Sequence, residues 1–415
     1  VASCSSRRNS APFWASRTKA LITAWIPHCI EQTNRTDIPA GRGDGGIDNF
    51  IEAAKALRGD VHAGHKGYVF SNAWVHQTVE SICLALMVDP QGDEEIVSAQ
   101  KKMRETLEDW IPKILAARHP DGYLQTAFTL RDMAGPSGVP AASRAPWTSP
   151  WSAAARGNHE GYVAGYFIES AINHCVMTDG QDLRLYNAAK KLADCWADHI
   201  GPAPRQEWFD GHQEMEQALV RLGRFVNEFE KRPGQAAGPG DRYIALARFL
   251  LDCRKGGTEY DQSHVRVQEQ YEAVGHAVRA GYTYSGMADV AVETHDVDYQ
   301  SAVKSLWDNI VHRKYYLTGG VGSGDTSEGF GPDYSLRNNA YCEACSSCGE
   351  IFFQWKLHLA CHDAQYADLY EQTLYNALYG AMDLAGRNFY YTNPLDANAQ
   401  RTPWHNCPCC VGNIA

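Results

Sequence analysis

The stretch Tyr366-Ala-Asp-Leu369-Tyr370-Glu-Gln-Thr373-Leu374-Tyr-Asn-Ala377-Leu378-Tyr-Gly-Ala381 places apolar or small side chains at intervals of three and one over four turns. That spacing keeps one face of an α-helix apolar while the other stays polar. The pattern recurs in Met215, Ala218, Leu219, Leu222, Phe225 and Val226. Comparable stretches run through 48–58, 74–88, 94–117, 160–177, 181–200, 241–254, 268–290, 298–313 and 346–361, giving about eleven helices with very little period-two alternation. Short connections favour antiparallel neighbours. The sequence therefore predicts an all-α fold, a toroid of six helical hairpins or (α/α)6 barrel, with an irregular helical array as the alternative.

The domain is expected to span 1–415, with 1–40 as an N-terminal extension leading into the first helices. The Pro-, Ser- and Ala-rich segment Ala134–Trp151 reads as a loop within it, because helices of one character lie on both sides. With 44% hydrophobic residues, 11 Trp, 21 Tyr and 13 Phe, the 415 residues can bury a large core and still wall a small-ligand pocket with aromatic rings.

A formal charge of −11 argues against nucleic acid or an anionic membrane surface as partner, since both attract basic proteins. No apolar run approaches the roughly 18 residues of a membrane span, so the chain reads as soluble. The compartment stays open between cytoplasm and periplasm or exterior. The opening Val1-Ala2-Ser3-Cys4 matches the tail of a lipoprotein cleavage box, which would make Cys4 a lipid-attachment site; an ordinary chain terminus is the plain reading. Oligomeric state is not legible.

The run Thr318-Gly-Gly-Val-Gly-Ser-Gly-Asp325 lacks the Lys-Ser/Thr and the preceding strand of a phosphate-binding loop, which sets nucleotide binding aside.

Thirteen cysteines are unevenly spread, seven of them between Cys342 and Cys410. A chain able to build a large core does not need a disulfide scaffold. Thiolates brought together select zinc over hard cations. In a structural reading, Cys342-x-x-Cys345 and Cys407-x-x-Cys410 supply four thiolates to a closed zinc site. In a catalytic reading, Glu343 and Cys345 reach a metal from alternate positions of an extended turn, and adjacent Cys409 and Cys410 complete a tetrahedron. Bound zinc keeps a thiol deprotonated near neutral pH and leaves a nucleophile in place.

The order Thr318-Gly-Gly-Val-Gly-Ser, Ser327-Glu328-Gly329-Phe330, Ala340-Tyr341-Cys342-Glu343-Ala344-Cys345 and Cys409-Cys410-x-x-Asn413 resembles glycoside hydrolase family 127, the β-L-arabinofuranosidases, and its neighbour families. The resemblance extends from Phe13-Trp14 and Ile47-Asp48-Asn49-Phe50 to the final residues. It implies zinc held by Glu343, Cys345, Cys409 and Cys410, with Cys409 as nucleophile and Glu328 as general acid/base. It further implies that His159, His212 and His276 contact a glycoside or oligosaccharide substrate, with Tyr391 a looser match to a sugar-contacting tyrosine.

The implied activity is retaining release of non-reducing-end β-L-arabinofuranose or a related furanoside. The family usually carries Cys-Cys-Pro-Pro-Asn where this chain has Cys409-Cys410-Val411-Gly412-Asn413, and its members continue past this point into further helix and β-sandwich domains. The resemblance thus leads one to expect a barrel lacking its last helix. The rival enzyme reading is an inverting (α/α)6 hydrolase or lyase using two acidic residues, its cysteine-zinc site purely structural. Outside enzymes, the rival is a sugar-binding toroid whose zinc only locks two loops.

Overall fold

The computed structural model describes residues 12–130, 147–230, 238–324, 327–396 and 400–415, so Cys4 and most of the 134–151 loop lie outside the described residues. Six helices close an inner ring: Asn72–Leu86, Glu160–Met177, Met215–Phe229, Ala277–Thr294, Ala344–Cys361 and the short Cys409–Ile414. Each packs against the next, and the last returns to the first. Ile26–Asn34, Glu94–Ala116, Arg184–His199, Asp241–Asp252, Val297–Asn309 and Ala364–Gln372 pack against this ring from outside. The fold is an (α/α)6 barrel, with Cys409–Ile414 at the sixth inner position. Among the described residues there is no strand, only isolated β-bridges, and no helix is long and apolar enough to cross a membrane.

The two layers differ in sequence for a physical reason. Arg184–His199 buries Leu185, Ala188, Ala189, Leu192, Ala193 and Trp196 while Asn187, Lys191 and Asp198 face solvent, as an outer helix covered on one side requires. Glu160–Met177 is buried nearly all round, because it has neighbours on every side. Inner helices also touch backbone to backbone. A Cβ on Gly281 would stand 2.8 Å from the carbonyl carbon of Gly349, so only glycine admits the crossing of Ala277–Thr294 with Ala344–Cys361.

Three boundaries depart from the sequence reading. The N-terminal extension is itself helical, as Pro12–Ala20, a π-helical turn Leu21–Trp25 and Ile26–Asn34, and it buries Ile22, Trp25, Ile26 and Cys29. The helix expected from 268 starts at Ala277, because the side chain of His276 caps its first turn and Gly275 before it sits at φ +73°. The helix expected over 366–381 breaks into Ala364–Gln372, a π-helical stretch Thr373–Leu378 and Tyr379–Ala381. There the carbonyl of Thr318 accepts from Ala377 N at 2.9 Å, and the Thr373 hydroxyl donates to Gly319 O at 3.2 Å. A carbonyl from another segment inserted into the ladder is a recognised cause of such a defect.

Candidate active site

A cavity of ≈ 350 Å³ opens at one end of the ring, within the size range of small-ligand pockets. Its lining comes from just before, or in the first turn of, every inner helix: Phe70, His159, His212, His276, Glu343 and Cys409. All six inner helices therefore direct their N-terminal ends at one space. Unpaired N–H groups and aligned peptide dipoles make such ends favourable for anions.

On one wall lie the sulfurs. Glu343 is the N-cap of Ala344–Cys361, held extended by Ala344 N donating to Tyr391 O at 2.9 Å and Asn393 N to Cys342 O at 3.0 Å. Cys345 sits in the first helical turn, so the pair does not come from alternate positions of an extended turn as the sequence suggested. Cys409 and Cys410 open the last inner helix. Cys345 Sγ and Cys410 Sγ are 3.1 Å apart, and Glu343 Oε1 lies 3.6 Å from Cys409 Sγ and 3.5 Å from Cys410 Sγ. One donor atom from each of the four falls within 4.8 Å of all the others. Cys342 is elsewhere, packed with Tyr316 and Ala340, so the four-thiolate site Cys342/Cys345/Cys407/Cys410 is not what the fold assembles. Cys407 flanks the cluster, its sulfur 3.5 Å from that of Cys409.

The donor set suits a divalent cation. Without one, three of the four hold their protons more tightly: burial, with Glu328 and Cys407 nearby, pushes the Glu343 carboxyl up to about 8, contact with Cys345 pushes Cys409 up to about 12, and burial raises Cys410 well above its ordinary value. Glu343 Oε2 is buried with no hydrogen-bond partner among the described residues. A bound cation reverses all of these penalties at once.

Facing the sulfurs is Glu328. Ala277 N donates to Glu328 O at 3.1 Å and Phe330 N to Gly275 O at 2.8 Å, which pins this loop beside the start of helix Ala277–Thr294. His276 Nδ1 accepts from Val278 N at 3.1 Å and Arg279 N at 3.5 Å. That ring nitrogen is therefore unprotonated, and the proton sits on Nε2, 3.3 Å from Glu328 Oε1. Tyr260 OH donates to the same oxygen. Burial would raise the carboxyl, but His276, Tyr260 and the Arg279 charge outweigh it and hold Glu328 at about 2.

The other two histidines have the opposite tautomer. His159 Nδ1 donates to Gly157 O at 2.6 Å and His212 Nδ1 to Gln213 O at 3.0 Å, which leaves each Nε2 as an acceptor. Burial and the Arg279 charge keep both rings neutral, His159 at about 3 and His212 well below its ordinary value. Phe70 stacks on His159, their ring centroids 4.4 Å apart.

The structure thus gathers His159, His212, His276, Glu328, Glu343, Cys345, Cys409 and Tyr391 around one cavity, with Cys410 buried behind it. Sequence reasoning missed Arg279, which lines the cavity, and Tyr260, which donates to Glu328, and it read Cys407 as a ligand of the rival structural site rather than as a flank of this one. Arg279 stood in the same run as His276, and Cys407 two residues before Cys409. Tyr260 lies in a three-residue turn with no pattern to reveal it.

Fold and site define a class: helical barrels with a thiol-rich, cation-ready centre at the mouth of the inner ring, opposite a carboxylate and three neutral imidazoles. A family model described as β-L-arabinofuranosidase, GH127 catalytic domain, matches residues 11–415. The chain belongs to glycoside hydrolase family 127. It is 28% identical over 454 aligned positions to a non-reducing end β-L-arabinofuranosidase of Bifidobacterium longum subsp. longum, an alignment covering 98% of this chain and 64% of the relative. A solved GH127 β-arabinofuranosidase is 33% identical with a TM-score of 0.80, covering 98% of this chain and 59% of its own. A GH127 β-L-arabinofuranosidase from Geobacillus stearothermophilus T6 is 28% identical with a TM-score of 0.81, covering 98% and 63%. The chain spans about three-fifths of the length of these relatives.

Proposed function

We propose that the chain, as one catalytic domain, is a retaining glycoside hydrolase that releases non-reducing-end β-L-arabinofuranose or a related furanoside. Cys409 is the nucleophile, Glu328 the acid/base, and Glu343, Cys345, Cys409 and Cys410 hold zinc. The observation that carries the reading is the placement of a three-sulfur, one-carboxylate cluster and Glu328 on facing walls of a single sugar-sized cavity. The activities printed for the similar proteins from Bifidobacterium and Geobacillus agree with it.

When bound, zinc would keep the Cys409 sulfur ionised near neutral pH. Cys409 Sγ attacks C1 as the glycosidic C1–O bond breaks, and Glu328 gives its proton to the departing oxygen. Glu328, now a carboxylate, takes a proton from water; the water oxygen bonds to C1, the C1–S bond breaks, and the sulfur leaves as thiolate. Two inversions give net retention. For the first step Glu328 must take up a proton, which its donors disfavour. A sugar oxygen accepting from Tyr260 removes part of that support, while His276 keeps the carboxyl aimed. His159 and His212 accept from sugar hydroxyls through their bare Nε2 atoms.

The spacing of carboxylates weighs against the inverting rival. The nearest oxygens of Glu328 and Glu343 lie within 4.8 Å, whereas an inverting pair stands about 6.5–9.5 Å apart to admit water. No other carboxylate among the described residues lines the cavity.

The test combines metal analysis with a screen of 4-nitrophenyl furanosides and pyranosides on the parent chain and on Cys409→Ser. Expected are about one zinc per chain, retained anomeric configuration in the product, and loss of turnover by about 10³-fold or more in the variant with unchanged helix content. A Cys409→Ser protein that keeps most of its rate would favour the two-carboxylate enzyme. Tight sugar binding without product release would favour the binding toroid.

A further inference from the structure

The Asn413 side chain lies behind the sulfur cluster, on the last inner helix. Its Nδ2 donates to Cys345 Sγ at 3.1 Å. Its Oδ1 accepts from Gln77 Nε2 at 2.9 Å and from Tyr166 OH. Tyr166, having given its proton to Asn413, accepts in turn from Tyr282 OH at 2.6 Å. Cys348 Sγ donates to the Asn413 backbone carbonyl at 3.5 Å. Gln77, Tyr166 and Tyr282 belong to three other inner helices, and all are buried.

In this arrangement the NH2 end of the amide faces the sulfur and its oxygen faces Gln77 and Tyr166. Reversed, the amide would turn its oxygen toward an ionised Cys345 at about the same distance, and its NH2 toward the hydroxyl of Tyr166 and the NH2 of Gln77 as they now stand. An ionised sulfur accepts hydrogen bonds and is repelled by a carbonyl oxygen. The network thus holds an N–H at the position where a thiolate, but not a thiol, gains most.

We infer that Asn413 is a positioning residue for the metal centre, its orientation set by Gln77 and Tyr166, and that its N–H···S bond stabilises Cys345 as a thiolate ligand. The inference rests on the cluster binding a metal, and adds the group that tunes one ligand. Outer partners of metal ligands orient them and tune their donor strength, and their loss typically costs about 10–100-fold in affinity. The departure from the family's pattern is compatible with this arrangement. Gly412 lies where a Cβ would come within 2.3 Å of Gln77 Oε1, so the missing side chain leaves room for the glutamine that holds the amide.

The test uses the full chain and zinc itself. Zinc affinity is measured by chelator competition for the parent, Asn413→Asp and Asn413→Ala, and the cobalt-substituted proteins are compared by near-ultraviolet absorption. Asn413→Asp exchanges the N–H for an oxygen in a side chain of the same shape and is expected to weaken zinc binding by about 10–100-fold. Asn413→Ala removes the donor without adding a charge and is expected to show a smaller fall. In both, loss of the N–H···S bond raises the sulfur lone pair, so the sulfur-to-cobalt band moves to longer wavelength. A purely structural role for Asn413 would not move that band. If any variant that folds keeps zinc affinity within twofold and the band unmoved, the inference is overturned while the metal reading stands. A parent chain that binds no zinc overturns the metal reading and this inference with it.

Discussion

His276 has two separable duties, so its replacement by two different residues should divide them. Through Nδ1 it caps helix Ala277–Thr294, accepting from Val278 N at 3.1 Å and, more weakly, from Arg279 N at 3.5 Å. Loss of such a cap costs about 0.5–2 kcal/mol. Through Nε2–H it holds Glu328 Oε1 at 3.3 Å, a hydrogen bond to a charged group worth about 1.5–3 kcal/mol, or about 10–100-fold in rate if that oxygen must be aimed to transfer a proton. Asparagine is a good N-cap but too short to reach Glu328. His276→Ala should therefore be less stable than the parent by about 1–2 kcal/mol, and His276→Asn should recover about 1 kcal/mol of it. Both should lose kcat/KM by about the same 10–100-fold. Stability is read from urea unfolding followed by tryptophan fluorescence, and activity from release of 4-nitrophenol. Equal instability of the two variants would refute the capping role. An active His276→Asn would refute the role of the Glu328 contact.

Two further outcomes follow from the packing. Arg254 is fully buried, pairs with Glu216 at 3.1 Å, and donates to the carbonyls of Asp210 and Asp261, the loops that carry His212 and Tyr260. Arg254→Met should cost about 3–5 kcal/mol by stranding the Glu216 charge, and adding Glu216→Gln should restore much of it; strictly additive losses in urea unfolding would contradict this. Gly281→Ala forces the two inner helices apart at Gly349 and should cost about 1–3 kcal/mol, whereas an unchanged unfolding midpoint would show that the crossing has slack.

The helical architecture was legible because each outer helix is covered on one side only, and that asymmetry is written as a 3.6-residue period in stretches such as 184–199 and 241–252. The N-terminal helix escaped for a related reason. Its buried Ile22, Trp25, Ile26 and Cys29 do follow helical intervals, but the π-helical turn Leu21–Trp25 shifts the phase, and Pro27 lies in the middle. The chemical types of the site were also visible, since adjacent Cys409 and Cys410 have few structural uses. What periodicity could not supply was their partnership with Glu343 and Cys345, some 65 residues away, which came from thiolate chemistry and the family resemblance. Tyr260 was invisible because its role depends on Glu328, 68 residues on, and on Arg279, whose guanidinium lies 4.6 Å from the centre of its ring.

The barrel itself explains why anionic chemistry belongs at this end. The inner helices run with their N-termini together, so each contributes a partial positive charge to the rim of the cavity. Each such end favours a nearby anion by about 0.3–1 kcal/mol, more when partly buried, and the residues placed there include Glu343, Cys345, Cys409 and Glu328. A lone thiol or carboxyl buried this deeply would stay protonated, as the raised values at Glu343 and Cys409 indicate. Helix ends alone do not overcome that. They reduce the deficit that a cation must cover, and they do so without placing a protein cation among the sulfurs. Arg279, the guanidinium that lines the cavity among the described residues, is instead held on the Glu328 side, bonded to Gly211 O and over the Tyr260 ring. Positive charge is thereby divided: a fixed one favours the ionised carboxylate, while the metal proposed above would bring its own to the sulfurs.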